Sequence, residues 1–138
     1  MATREETLLI VKPDGVKRRL LPKILQRFED RGLEMTLGKL VYAKNAQVIE
    51  HYEEHVGRPH FEKLRTSMQE GQLFVCVYAG PNAIAACRQI LGKTNPLDAA
   101  PGTIRGDYAL EMPYTVAHAS DSKEAYEREK KIWFDNVY

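Results

Sequence analysis

Residues 8–38 read LLIVKPDGVKRRLLPKILQRFEDRGLEMTLG. Leu8-Leu9-Ile10-Val11 is a short, continuous apolar run, which suits a central strand covered on both faces. Leu21, Ile24, Leu25 and Phe28 then recur at helical spacing, with Pro22 in the first turn and Gly32 just past the end, both favoured places. Leu33, Met35 and Leu37 alternate with Glu34, Thr36 and Gly38, the pattern of a half-buried strand.

The same alternation of periods continues to the end of the chain. Asn45 can cap a helix carrying Val48, Ile49, Tyr52 and His55, ended by Gly57 and Pro59. Phe61, Leu64 and Met68 mark a short helix closed by Gly71, and residues 73–79 read as a second buried strand. Asn82 then caps a helix with Ile84, Cys87 and Leu91 on one face, stopped by Gly92. Residues 93–113 have no clear period and contain Pro96, Pro101 and Pro113; so long a loop in a compact domain reads as functional. A strand over Tyr114–Ala117 delivers His118, and Ser120-Asp121-Ser122 offers a cap for a helix with Ala125, Ile132 and Trp133 on its inner face. With no repeat and no linker, residues 1–138 read as one domain. The order βαβ(αα)βαβ predicts an α+β fold: a ferredoxin-like sandwich with a four-stranded, mainly antiparallel sheet covered by helices, an inserted helical hairpin and the long 93–113 loop.

The 138 residues are 43% hydrophobic and 28% charged, a globular balance. Twenty Lys and Arg against 19 Asp and Glu leave a net charge of +1, so no basic field makes a nucleic acid or a membrane surface the default partner. Any anion site must be built locally. The runs Leu8–Val11 and Leu73–Ala79 are too short to span a bilayer, and Met-Ala-Thr-Arg-Glu-Glu at the start has no apolar stretch of the secretory kind. Cys76 and Cys87 sit in apolar surroundings without metal-ligand spacing and read as two buried free thiols, which makes the cytoplasm the expected location.

Four polar residues break the patterns. Arg88 falls on the apolar stripe of its helix, four residues after Ile84, and Glu129 falls on the inner face of the last helix, four after Ala125. Tyr52 shares a stripe with Val48, and Lys12 ends the first strand; alone, it would read as a solvated strand end. A buried charge needs a partner or a ligand. His51 and His55 are four apart, but no third ligand is evident and His51 is off the stripe, so both read as structural and no protein-held metal is expected. Gly92-Lys93-Thr94 resembles the end of a P-loop, yet Cys87 stands where a P-loop needs glycine. Phosphate, if handled, must then be held by side chains from several elements: Lys12, Arg88, Thr94 and Arg105.

Here a resemblance becomes specific. Tyr114-Thr-Val-Ala-His118-Ala-Ser-Asp-Ser122 resembles the active-site segment of the nucleoside diphosphate kinases. Lys12-Pro-Asp-Gly15, His51-Tyr-Glu-Glu-His55 with Gly57-Arg-Pro59, Thr94-Asn-Pro96 and Ala100-Pro-Gly-Thr-Ile-Arg-Gly-Asp107 are similar too, all in family order from about Glu6 to Phe134. The resemblance implies ping-pong transfer of a γ-phosphoryl group from a nucleoside triphosphate, typically ATP, to His118 and then to a nucleoside diphosphate. It also implies that Glu129 orients His118, that Ser120 lies near the transferred group, and that Lys12, Tyr52, Arg88, Thr94 and Arg105 hold phosphates, with Lys12 also reaching the ribose. Leu64 and Met112 would wall the base, Mg2+ would arrive on the nucleotide phosphates, and the assembly would be a homohexamer, with a tetramer as the alternative.

The sequence departs from the family pattern at identifiable places. His60 stands where a phenylalanine usually stacks on the base, Thr115 where an asparagine bonds the ribose, and Ala119 where a glycine follows the histidine. Arg19 and Pro22 replace glycines, and the chain ends at Tyr138, short of the tail that many longer members carry. These changes spare the nucleophile and its phosphate clamp, so the expectation is an active enzyme with raised KM for nucleotides. The competing reading, a binding or regulatory protein that kept the fold and lost turnover, rests on positions 60, 115 and 119 alone.

Overall fold

A computed structural model describes residues 4–135; the first three residues and the last three, including the end at Tyr138, lie outside the described residues. In chain order the first half holds β1 (Arg4–Val11), α1 (Pro13–Lys17), α2 (Leu21–Asp30), β2 (Glu34–Tyr42), α3 (Asn45–His51) and α4 (Phe61–Met68). The second half holds β3 (Gln72–Pro81), α5 (Ala83–Leu91), α6 (Ile104–Tyr108), β4 (Ala117–Ala119) and α7 (Lys123–Phe134). The sheet order is β2-β3-β1-β4, and every pairing is antiparallel.

Successive residues of β1 point to opposite faces. Leu9 and Val11 join Cys76 and Tyr78 of β3 in one core, covered by Ile24 and Phe28 of α2 and Cys87 and Leu91 of α5. Leu8 and Ile10 join Val75 and Val77 in a second core, covered by Val48 of α3, Met68 of α4, and Ile132 and Trp133 of α7. The two cores explain why residues 8–11 and 73–79 are apolar without alternation: neither face meets water. Both thiols are free and buried in the first core.

Several local expectations need correction. Asn45 is the first helical residue of α3; Lys44 is the cap, and its N–H donates to the Gln47 side chain at 2.9 Å. Asn82 holds the cap position of α5 with φ 54°, but its side chain caps nothing; Glu5 Oε1 accepts from the Ile84 N–H instead, at 3.2 Å. Strand β2 runs on to Tyr42 at the sheet edge, and a bulge between Met35 and Leu37 shifts the alternation, leaving Leu37 40% exposed. The segment 93–113 is not structureless: it holds a 3-10 turn, Pro96–Asp98, and α6, whose cap Thr103 accepts from the Gly106 N–H at 3.0 Å. Ser122 caps α7 as expected, accepting from the Ala125 N–H at 3.0 Å.

Arg19, between α1 and α2, has φ 60°. Left-handed backbone costs a residue with a Cβ about 1–2 kcal/mol, and glycine stands there in the family pattern. Arg19→Gly is therefore expected to stabilise the fold by about 0.5–1 kcal/mol, because glycine's greater unfolded-state freedom offsets part of the relieved strain. Urea denaturation of the two proteins checks this; an unchanged or lower midpoint would contradict it.

Candidate active site

The position of His118 follows from strand register. In the β1–β4 pairing Ile10 faces His118, Leu9 faces Ala119 and Val11 faces Ala117. Residues paired across an antiparallel ladder share a face of the sheet. His118 therefore leaves the sheet on the Ile10 side, toward α3 and α7, while Ala117 and Ala119 pack into the opposite core. The strand expected over Tyr114–Ala117 is displaced by two to three residues because Val116 has φ 59°. That costly conformation is held by Ala117 N–H donating to the Thr115 carbonyl at 2.7 Å, Lys12 N–H donating to the Val116 carbonyl at 2.9 Å, and Val116 N–H donating to Asp14 Oδ2 at 3.0 Å. Ala119 lies in extended β4 with no positive φ, so replacing glycine there carries no backbone strain.

Glu129 projects inward from α7, where it is buried beside Tyr126, Ile132 and Trp133. Its Oε1 accepts from His118 Nε2 at 2.9 Å and from the Ser120 hydroxyl at 2.7 Å. Burial alone would raise the Glu129 pKa, but His118 and these hydrogen bonds hold it down at about 2. An ionised carboxylate only accepts, so Nε2 carries the proton and His118 Nδ1 keeps a free lone pair. Ser120 is fully buried behind the carboxylate and supports it there.

His51 was expected to be structural, and it is buried; what the sequence did not reveal is that it is built against His118. Its ring lies 4.6 Å from that of His118, near perpendicular at 77°, and Trp133 Nε1–H donates to its Nδ1 at 3.1 Å. An indole N–H can only donate, so the His51 proton sits on Nε2. Burial, with His118 nearby, lowers the His51 pKa to about 3, so the ring stays neutral. His51, His118 and Glu129 offer ligand atoms within 4.8 Å of one another, a spacing that invites a metal. Their hydrogen bonds place protons on Nε2 of both rings; Glu129 holds His118 by a hydrogen bond, and His51, whose Nε2 has no partner among the described residues, packs edge-on against the His118 ring. The pairing of Trp133 with His51 crosses 82 residues of sequence, which is why periodicity gave no sign of it.

Three cations converge around β4. Lys12 is not a solvated strand end: it is only 3% exposed, and its Nζ donates to the Pro113 carbonyl at 2.6 Å and the Thr115 hydroxyl at 3.2 Å. Arg105 of α6 donates to the carbonyls of Ala117 at 2.9 Å and Gly92 at 3.2 Å, and its buried Nε has no partner among the described residues. Arg88 of α5 donates to the Ala119 carbonyl at 3.2 Å. Two guanidiniums thus hold the backbone on either side of His118. Burial, with Arg88 nearby, lowers the Arg105 pKa to about 10; burial lowers Lys12 to about 8, against Asp14 and with Arg105 adding to the shift. Such a cluster without its own carboxylate partners suits a polyanion.

Two adjoining clefts open from this centre. Tyr52 and His55 line both. One contains His118, Arg88 and Glu129, with the carboxylates of Glu54, Asp121 and Glu124 along its wall. The other, about 510 Å3, contains Thr94 and Arg105 at one side and His60, Leu64 and Met112 along an apolar wall. Tyr52 is buried enough that its hydroxyl pKa is raised, so it stays a neutral donor. Lys12, Thr115 and Ser120 are buried and do not line either cleft.

The depressed Lys12 pKa has a measurable consequence. The charged form is lost as pH rises through about 8, and a phosphate beside Nζ favours that form and draws a proton back. Binding of a polyphosphate anion near pH 8.5 is expected to take up a fraction of a proton, and affinity should fall above about pH 8. Calorimetry in buffers of different ionisation enthalpy reads the uptake, which Lys12→Met should abolish; binding without proton uptake in the parent chain would overturn it.

A family model described as "Nucleoside diphosphate kinase" matches residues 5–137. The chain is 47% identical to the nucleoside diphosphate kinase of Methanocaldococcus jannaschii over 131 residues, 95% of this chain and 94% of that protein. It is 45% identical to that of Saccharomyces cerevisiae over 94% of this chain and 85% of the relative. A structure of a halophilic nucleoside diphosphate kinase from Halobacterium salinarum in complex with CDP superposes with a TM-score of 0.93 at 40% identity, covering 97% of this chain and 90% of that one. The enzyme from Encephalitozoon cuniculi gives a TM-score of 0.92 at 38% identity, covering 94% and 88%. With nearly the whole chain matched in sequence and in fold, this protein belongs to the nucleoside diphosphate kinase family.

Proposed function

We propose that the chain transfers the γ-phosphoryl group of a nucleoside triphosphate, typically ATP, to a nucleoside diphosphate through phosphorylated His118, and so supplies nucleoside triphosphates. The observation that carries this is the hydrogen bond of 2.9 Å from His118 Nε2 to Glu129, which leaves Nδ1 as a neutral nucleophile on the cleft. In the first step the Nδ1 lone pair forms a bond to the γ-phosphorus while the bond to the bridging oxygen breaks, and the nucleoside diphosphate departs. In the second step a terminal oxygen of another diphosphate takes the group back from Nδ1. The Nε2 proton stays on the ring and Glu129 offsets its charge, so no general base is consumed in either direction. Lys12, Arg88 and Arg105 supply fixed positive charge for the phosphates, with the Tyr52 hydroxyl and Thr94 as further donors. Mg2+ arrives on the nucleotide; the carboxylates of Glu54, Asp121 and Glu124 are hard oxygen donors that suit an ion held mainly by phosphate and water.

The base would lie against Leu64 and Met112, with His60 in the place of a stacking phenylalanine. Thr115 faces Lys12 Nζ and is buried, so its reach to a ribose is shorter than an asparagine's. Two apolar surfaces support self-assembly into a hexamer, with a tetramer as the alternative: Leu97 and Leu110, each 81% exposed in the 93–113 segment, and the open edge of β2. Among the described residues no helix is long and apolar enough to cross a membrane, and two free buried thiols support a reducing, cytoplasmic location.

Incubation with labelled ATP and Mg2+ is expected to place acid-labile, alkali-stable label on the parent chain and none on His118→Ala, and GDP should remove it as labelled GTP. Nucleotide binding without label on His118 would favour the regulatory reading. In steady state, nucleotide KM is expected above that of a family member with phenylalanine and asparagine at positions 60 and 115; equal or lower values would contradict the weaker base and ribose contacts. Light scattering is expected to give an oligomer, and a monomeric mass would overturn the assembly.

A further inference from the structure

His55 and His60 lie together at the mouth of the base-side cleft, with His55 Nδ1 and His60 Nε2 only 2.8 Å apart. Their ring centroids are 4.9 Å apart at 72°. Among the described residues the opposite nitrogens, His55 Nε2 and His60 Nδ1, make no hydrogen bond, so each can carry its ring's proton in contact with water. At 2.8 Å one of the two facing nitrogens donates the proton of their hydrogen bond; moving that proton to the same ring's solvent-facing nitrogen leaves both facing lone pairs free for a cation. This is the reverse of the His51–His118 pair, whose hydrogen bonds fix a proton on Nε2 of each ring.

We propose that His55 and His60 form a two-histidine site for a borderline-soft divalent cation, with Zn2+ as the representative. A zinc ion bound at about 2.0–2.1 Å from each nitrogen in tetrahedral geometry sets the nitrogens about 3.3 Å apart, so the pair must open by only about 0.5 Å. The segment between them, Val56-Gly57-Arg58-Pro59, is exposed on every residue and has room to give. Waters complete the coordination, and the ion takes the place of the proton between the rings, which moves to the donor ring's solvent-facing nitrogen so that both imidazoles ligate neutral. Glu53 and Glu54, in the turn leading to His55, place two carboxylates next to it in sequence. Mg2+ does not compete there, since it takes oxygen ligands and leaves imidazole to zinc, nickel and copper. Phenylalanine at position 60, the usual family residue, would remove one ligand, so the site belongs to this sequence and not to the family pattern. It does not depend on phosphoryl transfer.

Zn2+ titration of the nucleotide-free chain by calorimetry tests it. One ion per chain is expected, with affinity weakened by about 10–100-fold in both His60→Phe and His55→Gln and retained in His118→Ala. Unchanged binding in the first two variants, or loss only in His118→Ala, would overturn the proposal and move the ion to the His51–His118–Glu129 centre. Imidazole NMR of the unmutated chain reads the same question without any variant: His55 and His60 resonances should move first as Zn2+ is added, and earlier movement of His51 or His118 would sink the site.

Discussion

Three residue pairs between β1 and β4 hold the active centre in place. The pairing Ile10 with His118 decides which side of the sheet the imidazole leaves from. Because side chains alternate along a strand, a slip of one residue would send His118 into the core of α2 and α5 and bring an alanine to the cleft. So short a ladder is weak by itself, and the structure reinforces it. Val116 turns the chain into register, with its backbone bonded to Asp14 and Lys12 just beyond β1. Arg105 and Arg88 then take the carbonyls of Ala117 and Ala119. The groups that would bind phosphate also fix the strand that carries His118, which ties site formation to the fold.

That double duty bears on electrostatics. Lys12, Arg88 and Arg105 are brought together by backbone carbonyls and, for Lys12, the Thr115 hydroxyl, and burial works against the charge of Lys12 and Arg105. Neutral carbonyls take several of these donors without cancelling the field, and the buried Arg105 Nε is left unpartnered among the described residues, so the cluster stays attractive to a polyanion. The buried carboxylate of Glu129 is committed to His118 and Ser120. On the far side His51 adds shape without charge, since its ring remains neutral.

The departures from the family pattern sort by their surroundings. Ala119 sits in ordinary extended backbone, whereas Arg19 retains the left-handed conformation suited to the glycine it replaces. Thr115 has found a different partner, the Lys12 ammonium. His60 bonds His55 at the cleft mouth, a contact that phenylalanine cannot make.

The sequence by itself determined the four strands as a class, the two apolar central runs, the long helices and the polar residues that fall on apolar faces. Those signals are local: hydrophobic period, punctuation by glycine and proline, and charges at positions where burial is expensive. It did not reveal α1 and α6, which are five residues each and too short to show a period. Nor could it show that Lys12 is buried or that β4 begins at Ala117, because both depend on contacts with residues about a hundred positions away. The tautomer of His118, its support by His51 and Trp133, and the meeting of three cations around one strand were decided only by tertiary structure. Each is set by the direction of a hydrogen bond or ring contact between different elements, and direction is a property that exists only once those elements are packed.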